Sequence, residues 1–285
     1  MRLRPVLFVT LLLMSTWGLL FAQKAAQRVQ ALRLISGAVE YPGTIKEWRE
    51  YQGEDRSIVP PDYRESHDWV EARLMYKNSN QIGRFRGNSW TTDYPAGDRS
   101  LIQGVRRLTR IDARSVEQPV ELDGTGDVFN WPFLYAVEVG HWAMPEDEGA
   151  ELREFLLRGG FLMVDDFHGS EEWAIFQEGL EVIFPDRMIE DLPANDPIFH
   201  MLSDIDLRIQ VPGEVSLGRG GYEKDGITPR WRGIRDDHGR VIVAICHNMD
   251  LGDAWEHSDD AWYPADMAVV AHHVLQNYAT YNLTH

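Results

Sequence analysis

A three-layer α/β domain with a mostly parallel sheet is the fold class this sequence predicts, on three observations. The first is residues 159–169, where Gly159 and Gly160 stop a helix, Phe161, Leu162, Met163 and Val164 follow, and Asp165, Asp166 and His168 arrive as the run ends. An apolar run between turn signals reads as a strand covered on both faces, the state of a central strand in a parallel sheet. Second, strand patterns alternate with helical patterns along the chain, as βαβ units require. Third, the closing segment carries Met267, Val270, Ala271, Val274, Leu275 and Tyr278 at helical spacing on one face.

In chain order, Arg2 and Arg4 precede an apolar run over residues 6–21, and Ala22 supplies a small residue before Gln23. This is a secretory signal pattern over residues 1–22, short for a membrane span, with a retained anchor as the other reading. Residues 23–65 predict a short helix over 25–39 and then an extended arm marked by Tyr41-Pro42-Gly43 and Pro60-Pro61. The main domain is expected over residues 66–285.

Its first strand starts at Trp69, with Val70, Ala72, Leu74 and Tyr76 alternating. Asp93 falls in the loop beyond, and Asp98 is placed to cap a helix whose apolar face is Leu101, Ile102, Val105 and Leu108. Residues 116–122 read as the second strand and 133–139 as the third, with Glu138 near its carboxyl end. Pro145, Glu146, Asp147 and Glu148 open a helix that buries Leu152, Phe155 and Leu156 and stops at Gly159. After the fourth strand, Ser170 is placed to cap a helix carrying Trp173, Phe176 and Leu180 inward. Residues 186–226 form a proline- and glycine-rich insertion of the kind that borders clefts. Two late strands are expected over 230–235 and 240–245, before the final helix.

Composition narrows the function. The formal charge of -17 over 285 residues repels phosphate backbones and argues against nucleic acid as a partner. A single cysteine, Cys246, excludes an internal disulfide, and together with the signal pattern it suits a periplasmic protein.

Ligands of open parallel sheets sit beyond the carboxyl ends of the strands. Asp93, Glu138, Asp165, Asp166 and His168 are all expected at such ends, as is the later run of His247, Asn248, Asp250, Asp253, Trp255 and Glu256. Carboxylates, an amide and imidazoles suit a divalent metal. Two crowded carboxylates can instead divide acid and base duties. Trp131, Trp142, Trp255 and Trp262 offer flat faces for a sugar ring, with core packing as the commoner use. Cys246, at the end of an apolar run, reads as a small buried hydrophobe rather than a nucleophile.

Several of these segments resemble one bacterial family. They are Ala72-Arg73-Leu74-Met75-Tyr76, Thr92-Asp93-Tyr94-Pro95 with Asp98, Arg107-Leu108-Thr109, Trp131-Pro132-Phe133-Leu134-Tyr135 and residues 159–166. Phe184-Pro185, Asp196-Pro197-Ile198-Phe199 and the run from Asn248 to Glu256 complete the pattern. The family is domain of unknown function 4159, regarded as similar to class I glutamine amidotransferases, with a flavodoxin-like fold. The resemblance implies that fold, and a link to von Willebrand factor A-type and MoxR-associated membrane proteins. Where an amidotransferase carries its cysteine, this chain has Asp165-Asp166-Phe167-His168-Gly169. The resemblance carries the fold and no function; the role expected from the placement of the acids is an exported domain that binds a small molecule or envelope protein at an acidic rim without covalent catalysis. A metal-assisted or carboxylate-dependent hydrolase of an envelope glycan or peptide is the alternative.

Overall fold

The computed structural model describes residues 39–40, 46–47, 62, 65–79, 89–206 and 208–285. The chain divides into two compact units, Met1–Val59 and Pro60–His285. In the first, Val39–Glu40 pairs antiparallel with Lys46–Glu47. The expected signal and the body of the N-terminal helix lie outside the described residues.

The second unit is built on a seven-stranded sheet. Its strands are β1 (Glu71–Met75), β2 (Gln118–Glu121), β3 (Phe133–Val137), β4 (Phe161–Asp165), β5 (Glu190–Asp191), β6 (Arg230–Arg235) and β7 (Val241–His247). The spatial order is β2-β1-β3-β4-β7-β6-β5. The first five of these run parallel, and β6 is antiparallel to both β7 and β5. The parallel part thus has flavodoxin-like order, with the chain reversing its direction of growth between β1 and β3.

Among the described residues, five α-helices flank the sheet: α1 (Ala96–Leu108), α2 (Glu146–Leu157), α3 (Gly169–Ile183), α4 (Leu251–Glu256) and α5 (Ala265–Thr284). Helix α1 packs on α4 and α5, and α2 packs on α3. Phe133, Tyr135, Phe161, Met163, Ala244 and Cys246 meet Trp255 and Tyr278 in the main core. The apolar run in β4 is wholly buried, as a strand covered on both faces must be.

Local details depart from expectation at several points. Asp98 does not cap α1. It stands inside the helix, which starts at Ala96 after Pro95, and its carboxylate takes a fully buried, two-pronged contact from Arg73. Arg73 Nη1 also donates to the carbonyls of Trp90 and Thr92. Strand β1 therefore buries charged Glu71 and Arg73 as well as its apolar positions, because both of its faces are covered. Leu108 ends α1 and is exposed rather than part of the buried face. Ser170 lies within the first turn of α3, whose cap position is His168. The last parallel strand continues through Cys246 and His247 instead of stopping at Ile245.

Candidate functional site

The carboxyl ends of β1, β3, β4 and β7 converge, and the loops that leave them bend sharply. The five non-glycine residues with positive φ among those described are Asp93 (58°), Glu138 (52°), Asp166 (51°), Lys224 (52°) and Asn248 (65°). Four of them follow those strands, and Lys224 reaches the same rim from the insertion. Left-handed backbone at non-glycine residues is costly, and such strain gathers at functional sites.

Asp165 is the last residue of β4 and has no exposure. Its Oδ2 accepts the backbone N–H groups of Leu251 (2.6 Å) and Gly252 (3.1 Å) and lies 3.4 Å from the Tyr135 hydroxyl. Its Oδ1 is buried without a hydrogen-bond partner. Burial raises its carboxyl to about 7, against the pull of the amides. Asp165 thus pins the first turn of α4 to the sheet.

Around that turn the acids crowd. Asp93, Asp250 and Asp253 each present a carboxylate oxygen within 4.8 Å of the other two. A β-carbon on Gly252 would lie 2.5 Å from Asp93 Oδ2 and 3.4 Å from Asp250 Oδ1, and one on Gly213 would lie 3.1 Å from Asp253 Oδ2. Glycine at both positions is what lets these oxygens approach the backbone. Burial, then the charges of Asp166, Asp253 and Glu256, push the Asp93 carboxyl well up. Burial, then Asp166, Asp253 and Asp93, do the same to Asp250.

Asp166 and His168 form a pair at 3.2 Å, Oδ1 to Nε2, and both are buried. Burial, then Glu138 and Asp165, raise Asp166 well above the usual carboxylate range, and burial lowers His168.

A second cluster is already neutralised. Glu172 holds His141 Nε2 at 3.1 Å and pairs with Lys224, and Glu138 lies 3.3 Å from the same imidazole nitrogen. Hydrogen bonds to Glu138 and Glu172 raise His141 to about 9. Although burial pushes it the other way, the His141 hydrogen bond and the Lys224 charge hold Glu172 down to about 2. The Glu172 contribution to stability is present above its ordinary 4.5 and is lost as pH falls through about 2. The His141 contribution is present below its ordinary 6.5 and is lost as pH rises through about 9. The stability gap between the wild type and Glu172→Gln should therefore be widest between pH 4.5 and 6.5 and narrow toward pH 9. Urea unfolding across pH checks it, and a gap that is constant from pH 5 to 9 would contradict the pairing.

The other expected residues stand around these clusters. His247 is buried, stacks on Phe167 at 4.8 Å and packs tilted against Trp173 at 4.7 Å, and burial lowers it to about 4. Asn248 accepts from Gly169 N–H and donates to the Thr228 carbonyl, both at 2.8 Å, so it locks one loop to another. Trp255 is buried against Tyr135. Glu256 stands at the half-exposed margin near Asp253 and His257, and burial raises it. Trp131 and Trp142 are buried, while Trp262 is exposed beside His257. Cys246 is fully buried on β7, where burial and then Asp165 push its thiol well up.

Sequence reasoning did not single out Glu172, Lys224 or Gly213, and it met Tyr135 and Gly252 only inside the family motifs, without a role. The insertion gave no local signal for Lys224, and the glycines matter only for what lies across from them.

A three-layer α/β domain of flavodoxin-like strand order, with a cluster of carboxylates where its parallel strands end, is the class that fold and site define. The chain belongs to the family described as Domain of unknown function (DUF4159), whose model matches residues 72–283. No curated protein matches the chain.

Proposed function

We propose that the protein is an exported, amidotransferase-like binding domain that acts at its acidic rim without covalent catalysis. The rim takes a ligand or an envelope protein partner through positive charge. The observation that carries this reading is the group of Asp93, Asp250 and Asp253, brought within 4.8 Å with no lysine or arginine ion-paired to them among the described residues. Like charges so close raise one another's pKa and are relieved by a bound cation. A thiol mechanism has little support, since a buried cysteine with a raised pKa is a poor nucleophile. The signal pattern over residues 1–22 supports a periplasmic role, and von Willebrand factor A-type or MoxR-associated membrane proteins are the partners that the family resemblance suggests.

The hydrolase reading draws on the Asp166–His168 pair, in which an imidazole kept neutral by burial could accept a proton. Two measurements separate the readings. Oligolysine should bind the purified chain in a salt-sensitive manner, more weakly by about tenfold in Asp253→Asn, which removes one attracting charge. A panel of glycan, peptide and ester substrates should show no turnover. Turnover abolished by Asp166→Asn would replace the binding reading with the hydrolase, and loss of oligolysine binding in the wild type would remove its support.

A further inference from the structure

We infer that Asp93, Asp250 and Asp253 form a divalent-cation site for a hard, oxygen-seeking ion of the magnesium, calcium or manganese type. The inference rests on the acidic rim being a binding site and names the ion it holds. Three observations carry it.

The first is spacing. Oxygens bound to one such ion at about 2.0–2.6 Å stand roughly 3–5 Å from one another, and the three carboxylates each offer an oxygen within 4.8 Å of the others. The second is an unsatisfied group. Asp93 Oδ2 is buried without a hydrogen-bond partner, and it faces the backbone of Gly252 beside Asp250. Asp165 Oδ1, wholly buried next to the same turn, is likewise without a partner. A buried carboxylate oxygen left bare is expensive unless something positive meets it. The third is orientation. Asp250 Oδ1 accepts the Asp253 N–H at 2.8 Å, and Asp253 Oδ2 accepts the Glu214 N–H at 2.6 Å. Backbone amides that fix ligating carboxylates are the usual outer support of a metal site.

Donor chemistry selects the ion. Three carboxylates with neither imidazole nor thiolate among them suit magnesium, calcium or manganese better than zinc or copper. The neighbouring Glu138, His141 and Glu172 also stand close enough to hold an ion, but Lys224 and the imidazole already supply their positive charge. A dication on three carboxylates leaves coordination positions for water or for an anionic group of a partner. The rim would then accept a carboxylate or phosphate that it would otherwise repel.

The test uses the full mature chain, stripped with chelator and titrated with magnesium, calcium and manganese chlorides by calorimetry and thermal denaturation. One equivalent of at least one ion should bind. At a hundredfold excess over Kd it should raise Tm by about 5–10 °C. Asp93→Asn and Asp253→Asn should each weaken binding by about tenfold or more, while Glu172→Gln should leave it unchanged. Manganese bound to the wild type should give an electron paramagnetic resonance spectrum that both Asn variants lose. No binding by any of the three ions, or binding unaffected by both Asn changes, overturns the site. If metal fails while oligolysine still binds in an Asp253-dependent way, the acidic-rim reading survives and only the metal falls. If both fail, both fall.

Discussion

Asp98→Ala should destabilise the Pro60–His285 unit by about 3–5 kcal/mol, the range for removing one partner of a buried ion pair. The Arg73–Asp98 contact has no solvent exposure on either side, and its two bonds measure 2.9 and 2.7 Å. Removing the carboxylate leaves a guanidinium in the core with only two carbonyls and the faces of Tyr135 and Tyr94 near it. For a domain of this size Tm should fall by about 6–20 °C. Glu71 sits on the same strand face with both carboxyl oxygens unpartnered, and burial, then the Asp98 charge, raise its pKa well up. With Asp98 gone, Glu71 is the acid left beside the guanidinium on its own strand, with Asp93 also within its field. The double variant Glu71→Gln, Asp98→Ala should therefore be less stable than Asp98→Ala alone. By contrast, Arg73→Met with Asp98→Leu should recover much of the loss, because it removes both charges together. Urea denaturation of the four proteins decides it. A loss below about 1 kcal/mol in Asp98→Ala would mean that water or another group answers Arg73.

Asp165 offers the second large effect, and here the kind of substitution matters more than the position. Asp165→Ala strips the acceptor from two buried amides and leaves the Tyr135 hydroxyl without its neighbour. An unsatisfied buried donor costs about 1–3 kcal/mol, so the total should reach about 3 kcal/mol or more. Asp165→Asn keeps a carbonyl oxygen for both amides and removes a buried charge, so it should stay within about 1 kcal/mol of the wild type. Thermal denaturation at pH 7 separates them, and equal losses in both variants would show that α4 depends on the charge rather than on the acceptor. The outcome also warns against reading Asp165→Ala as a functional variant, since it undoes the turn that carries Asp250 and Asp253.

Much of the architecture was legible because burial writes itself into a strand. The run from Phe161 to Val164 has no polar residue to expose, and the structure buries all of it between helices. The convergence of Asp93, Asp166 and Asp250 was also readable, since parallel strands put their following loops on one side. Asp98 was misread for a physical reason. A polar side chain near a helix start satisfies the capping rule whether it faces its own backbone or an arginine from another strand. Only the burial of Arg73, which an alternating pattern would leave outside, distinguishes the two. Lys224 was illegible because its partner Glu172 lies 52 residues away, across an insertion without periodicity.

The left-handed turns at the rim have an engineering consequence. Glycine adopts such backbone freely, so replacing Asp93, Glu138, Asp166, Lys224 or Asn248 by glycine would ease the chain at each point. Each exchange would also delete a side chain that belongs to the acidic rim or ties its loops together. A laboratory lineage bred only for heat resistance should therefore keep Glu138, Lys224 and Asn248, whose contacts hold the rim together, and relax first at Asp93, where an unpartnered buried acid sits on strained backbone.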